Sequence, residues 1–133
     1  MKRPVVLIAA LALAGCGAQQ EPSSTEKFEG EERAVAQKVE DLQEAGEGRN
    51  PEDICSEILA ASLVEQLEAA DVQCAEEMEK AIDDADDYEL QVQDVTVSGT
   101  TATAEVRRGD DGPTETMEFT KENGQWRATS LSG

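Results

Sequence analysis

The spacing of apolar residues changes once along this chain, across the acidic run 83–87, and that change restricts the folds open to it. Before the run, apolar residues recur at three- and four-residue intervals, the repeat of a helix with one buried face. After it they alternate with polar residues, the repeat of a strand with one face in a core and one in water. Helices followed by strands predict an α+β domain in which the helices cover the sheet's apolar face.

The helical half divides into segments. Phe28, Val35, Val39 and Leu42 form one stripe and predict a helix over about residues 26–45, stopped by Gly46 and Gly48. Asn50 stands where an N-cap is expected, with Pro51 at the first helical position, and Ile54, Cys55, Ile58 and Leu59 point inward. Ser62-Leu63-Val64-Glu65 has the pattern of a capping box opening a further helical segment with Leu63, Val64 and Leu67. A last helical stretch follows Cys74 and turns Met78 and Ile82 inward.

The strand half reads as a meander. Leu90 and Val92 share a parity that shifts before Val95 and Val97, so a β-bulge is expected at Gln93-Asp94. Ser98-Gly99 turns the chain into Ala102, Ala104 and Val106, and residues 109–112 turn it again toward Met117 and Phe119. Asn123-Gly124 is a strong hairpin signal ahead of Trp126 and Ala128. The expected architecture is N-terminal helices packed on a curved antiparallel four-strand meander, spanning residues 27–133.

The amino terminus carries a different message. Lys2 and Arg3 precede nine apolar residues, Val5 to Leu13, which have the form of an export signal and are too short to span a bilayer. Leu13-Ala14-Gly15-Cys16 then resembles the lipobox of bacterial lipoproteins. That resemblance implies a diacylglycerol on the Cys16 thiol and cleavage just before it. Residues 1–15 are then a signal peptide, and residues 16–26 the lipidated cysteine and a flexible tether. The chain is accordingly expected outside the cytoplasm, attached to a bacterial membrane. An ordinary secretory signal ending near a cysteine is the competing reading.

Charge and cysteine count narrow the function classes. Loss of Lys2 and Arg3 with the signal takes the formal charge from −19 to −21. Such a charge repels phosphate backbones and anionic headgroups, which excludes nucleic acid as a partner and leaves the lipid as the membrane contact. If Cys16 is taken by lipid, Cys55 and Cys74 remain as one pair in an oxidising compartment, and a disulfide is expected; two reduced buried thiols are the alternative. The chain has no histidine. Two cysteines alone cannot make an ordinary zinc site, and neither metal nor cofactor is expected. Asp83, Asp84, Asp86 and Asp87 lack the glycine and terminal glutamate of a calcium loop and read as a solvated connection. Arg108-Gly109-Asp110 reads as turn chemistry.

Asp53-Ile54-Cys55, Cys74, the strand from Val95 to Ala104 and Gly124-Gln125-Trp126-Arg127 together resemble the nuclear transport factor 2-like, or SnoaL-like, superfamily. More narrowly they resemble small lipoproteins of high-GC bacteria with that cone-shaped fold. The likeness covers most of residues 27–131. It implies a cone of helices on a curved sheet, and its enzymatic members place an Asp/His pair, or Asp with Tyr, inside the cone. Without histidine, only Asp94 with Tyr88 could imitate an isomerase set; a solvent-facing bulge acid and a core-edge tyrosine is the favoured alternative. The function expected is a non-enzymatic envelope lipoprotein that binds a small apolar ligand or an envelope protein. A purely structural or interaction module, or an isomerase-like enzyme using Asp94, are the other readings. Phe28, Val39, Ala102, Ala104, Met117, Phe119 and Trp126 are the expected lining of any pocket, because they lie on the apolar face between helix and sheet.

Overall fold

A computed structural model describes residues 25–131. The signal segment and Cys16 lie outside the described residues. The order is α1 (Gly30–Glu47), α2 (Pro51–Asp53), a π-helical turn (Ile54–Ile58), α3 (Ala61–Ala69) and α4 (Cys74–Asp84). Then come β1 (Leu90–Ser98), β2 (Thr101–Arg108), β3 (Thr114–Glu122) and β4 (Gln125–Ala128). The strands pair in chain order as one antiparallel sheet. The register of β1 on β2 slips between Val92 and Asp94, so the expected bulge is present at Gln93.

Helices cover one face of the sheet only. On that face Val92, Val95, Ala102, Ala104, Val106, Met117, Phe119, Trp126 and Ala128 are buried. Thr96, Thr103, Glu105, Thr116 and Glu118 on the other face are exposed, the alternation of a sheet half in water. The small residues sit in the middle of the sheet. Ala104 lies between Val95 and Met117, and Ala102 between Val97 and Phe119. Their short side chains let α1 come down onto β1 and β2, so that Val35, Ala36 and Val39 are wholly buried.

The helix ends differ from what local pattern suggests. Residues 25–27 form a turn closed by the Phe28 N–H on the Thr25 carbonyl, so α1 starts at Gly30 rather than near residue 26. It runs through Gly46 to Glu47 and closes with the Asn50 N–H on the Ala45 carbonyl. The left-handed residue there is Arg49 (φ 54°), not either glycine. Its guanidinium Nη1 reaches Asp83 Oδ1 at 2.7 Å, tying the turn to α4. Asn50 precedes Pro51 as expected, but its side chain makes no capping bond.

The capping box at Ser62 does not form. Helix α3 begins two residues earlier, with Ala60 in the cap position and Ser62 already inside. The cause lies in the sheet. Leu59 bridges to Ala128 in parallel, and the Ala60 N–H donates to the Ala128 carbonyl at 2.8 Å, so the chain enters α3 directly from a strand-like contact. The orphan Ala61 N–H is met by both carboxylate oxygens of Glu122 at 3.2 Å, an anion at a helix N-terminus supplied from β3.

Cys55 and Cys74 form a disulfide with Cα atoms 6.1 Å apart, joining the π-helical turn to the first residue of α4. Glu31 of α1 joins the β3–β4 hairpin. Trp126 Nε1–H donates to Glu31 Oε2 at 2.6 Å, and Lys121 Nζ donates to Oε1 at 2.8 Å. These bonds, the lysine's first, hold the Glu31 carboxyl below the usual glutamate range. A depressed folded-state pKa stabilises the fold above the unfolded-state pKa, and that contribution is lost as pH falls through the lowered value. Glu31→Gln is therefore expected to be less stable than wild type in urea at neutral pH. The gap should close in acid, below the ordinary glutamate range; a gap independent of pH would rule out this linkage.

Candidate functional site

The large aromatic side chains are unevenly placed. Phe119 and Trp126, both under 4 % exposed, fill the sheet near the β3–β4 hairpin. Towards the start of β1 and the end of β2 the only aromatic is Tyr88. Its ring is aligned by a hydroxyl that donates to the Ile82 carbonyl at 2.7 Å. That end of the interface is less completely filled, and a cleft of about 140 Å³ opens there to solvent.

Each wall has a structural origin. Helix α1 contributes Leu42 and Gly46, and α4 contributes Met78, Ala81 and Ile82. Ile54 comes from the π-helical turn; Leu90, Val106 and Met117 come from the sheet. Gly46 is what lets Tyr88 come close: a Cβ there would stand 3.2 Å from Tyr88 Cδ1, tighter than an ordinary contact. Asp87, Arg108 and Glu115 line the cleft as its ionised groups. Asp87 is accommodated against the β2–β3 turn because residue 109 is glycine, with φ +60° and an absent Cβ that would lie 2.5 Å from Asp87 Oδ2.

Most of the polar atoms are already engaged. Gln43 Oε1 accepts the Leu90 N–H at 2.8 Å, and Asp87 Oδ1 accepts the Glu89 N–H at 2.9 Å. Arg108 Nε donates to Glu115 Oε2 at 3.2 Å. What the cleft offers a guest is mostly hydrocarbon, with the remaining valences of Asp87 and Arg108 beside it. Its volume is close to that of a dry cavity that accepts one benzene ring, about 150 Å³.

Of the residues expected to line a pocket, Met117 does so. Phe28, Val39, Ala102, Ala104, Phe119 and Trp126 are buried in the packed core and do not face the cleft. The alanines that left room for a void are where α1 seats instead. Leu42, Met78, Ile82 and Leu90 were legible as inward residues, but nothing in their spacing marks them as the rim of an opening. Gly46 lies inside α1 rather than after it, and a glycine within a helical pattern is a weak signal of a close approach.

The other candidates separate in space. Asp94 is exposed, opposite Glu105 at the bulge, and does not line the cleft that Tyr88 lines. The two are therefore not assembled as an acid/base set around this cleft. Of the acidic run, Asp83 near the end of α4 pairs with Arg49, and Asp87 in the connection after it accepts the Glu89 N–H. Among the described residues no group of three or more His, Cys, Asp or Glu is arranged to hold a metal ion. Arg108 ends β2 and Gly109-Asp110 begin the turn after it, with the Gly109 N–H on the Glu89 carbonyl and Asp110 Oδ1 accepting from Gln91. A second depression between Asp41, Glu44, Asp53 and Glu57 is polar, and Lys38 already ties it together through Asp41 and the Glu57 carbonyl. Among the described residues no helix is long and apolar enough to cross a membrane. No family model, curated protein or solved structure matches the chain.

Proposed function

We propose that this protein is a lipid-anchored, non-enzymatic component of a bacterial cell envelope, whose domain carries a small, largely apolar ligand in the cleft beside Tyr88. The observation that carries the ligand reading is the satisfaction of that cleft. Its tyrosine and glutamine are turned to backbone partners and its arginine to Glu115, while Leu42, Ile82, Leu90 and Met117 keep their carbon surface toward the opening. Such a wall favours apolar groups, and its few polar atoms supply orientation. The lipid anchor rests on Leu13 to Cys16, on the −21 charge that disfavours any other attachment to anionic headgroups, and on the pairing of the other two cysteines with each other. The order of helices and meander is also what supports a place beside the nuclear transport factor 2-like domains.

A second reading, an interaction module without a ligand, draws on the solid packing under the centre of the sheet, where Val35, Val39 and Ala104 are wholly buried. One experiment separates the two. Native mass spectrometry of protein taken from its own envelope should detect a small bound species, and Ala81→Phe should remove it by filling the cleft from an exposed helical position. The same preparation carrying Cys16→Ser should leave the detergent phase. A wild-type protein with no bound species hands the domain to the interaction reading, and unchanged partitioning of Cys16→Ser removes the anchor.

A further inference from the structure

The charges around the cleft do not cancel, and their imbalance bears on what enters it. Three ionised side chains line it: Asp87, Arg108 and Glu115. Arg108 and Glu115 neutralise one another at 3.2 Å. Nearby, Arg49 and Asp83 do the same at 2.7 Å. Asp87 is left over. Its Oδ1 accepts a backbone N–H, and its Oδ2, beside Gly109, makes no hydrogen bond among the described residues. Asp84, the last residue of α4, and Asp86, in the connection after it, are exposed and add to the negative sign.

Resting on the reading of the cleft as a ligand site, we propose that it selects a small organic cation. An apolar ring or branched alkyl group sits against Leu42, Ile82, Leu90 and Met117, and its ammonium lies at the mouth beside Asp87. The formal charge of −21 left after loss of the signal draws cations from a distance. At physiological salt that field fades within about 8 Å, so selection falls to charges at the mouth. Tyr88 adds an aromatic ring to the wall, and ammonium groups are attracted to ring faces. A carboxylate guest would have to compete with Glu115 for Arg108 while facing Asp87.

The methionines provide the test. Beyond Met1 the chain has only Met78 and Met117, and both line the cleft. The lipidated protein, labelled with carbon-13 at methionine methyls and held in nanodiscs of zwitterionic lipid, is titrated with benzylammonium, benzyl alcohol and benzoate. Empty nanodiscs provide the blank. The ring is common to all three, so differences report charge. Benzylammonium is expected to shift both methyls and to bind about threefold more tightly than the alcohol, the scale of a partly exposed ion pair, with benzoate weakest. Asp87→Asn, which keeps an oxygen for the Glu89 N–H, should erase the difference between benzylammonium and the alcohol, bringing their affinity ratio from about three to about one. Equal binding of ammonium and alcohol by the wild type, or tightest binding of benzoate, overturns the cation proposal while the cleft remains a ligand site. If no probe moves either methyl, the ligand reading fails first and the cation proposal with it.

Discussion

Phe119→Ala is expected to lower the unfolding free energy by about 4 kcal/mol, near the middle of the range for phenylalanine truncation in a core. Phe119 is 2 % exposed, and its register partners on β2 and β4 are Ala102 and Ala128. Removing the ring leaves three alanines abreast across the sheet. None of them can swing a side chain into the gap, so the cavity stays open and its cost is added to the lost transfer energy. A domain of this size has about 5–15 kcal/mol of net stability, so the variant should be partly unfolded at modest urea concentration. Urea titration should show a lower midpoint with an unchanged slope. Phe119→Leu, which keeps most of the volume, should lose much less. A loss below about 1 kcal/mol for the alanine variant would mean that α1 had collapsed into the space, and that α1 packs on Ala102 and Ala104 more softly than their burial implies.

The same three-residue row shows how far alternation and turn signals reach and where they stop. Ala102, Phe119 and Ala128 fall on one face by strict alternation, and two hairpin turns fix which strand lies beside which, so their neighbourhood follows from chain order. The bulge at Gln93 was legible for the same reason, because alternation must slip where an extra residue enters. The disulfide was expected from the pair of cysteines that remains if Cys16 carries lipid and from the oxidising compartment that an export signal implies. Periodicity is silent, however, on how deeply a helix sits on a sheet. Ala102 and Ala104 are compatible with a void or with a close helix, and only the burial of Val35 and Val39 decides for the helix. The cleft lies at the other end for a reason of side-chain supply, with Tyr88 turned toward Ile82 and Gly46 giving it room. Ser62 failed as a cap for a comparable reason: a contact remote in sequence, Ala60 on Ala128, set the start of α3 before the local motif could act.

Loss of the disulfide is the second large effect. Cys55 and Cys74 are 19 positions apart, and on the chain-entropy estimate a bond closing such a loop contributes about 3 kcal/mol by restricting the unfolded chain. The double variant Cys55→Ala, Cys74→Ala should lose about that much, visible as a lower urea midpoint than that of the oxidised wild type. The loss should not be uniform. Helix α3 lies inside the bridged loop and has no fully buried residue of its own; Leu63, Val64 and Leu67 are only partly covered. Once the bond is gone, α3 is held chiefly by Ala60 on Ala128 and by Glu122 at its first N–H, both at its N-terminal end. Amides over residues 64–72 should therefore exchange faster by a larger factor than those of β2 and β3. The cleft should respond as well, because Ile54 adjoins Cys55 and Met78 lies one helical turn beyond Cys74, and both are among its walls. Met78 methyl signals that broaden in the double variant while Met117 stays sharp would place the loosening on the α4 side. Uniformly faster exchange in helices and strands alike would mean that the bond acts only by restricting the unfolded chain and does not hold this wall in place.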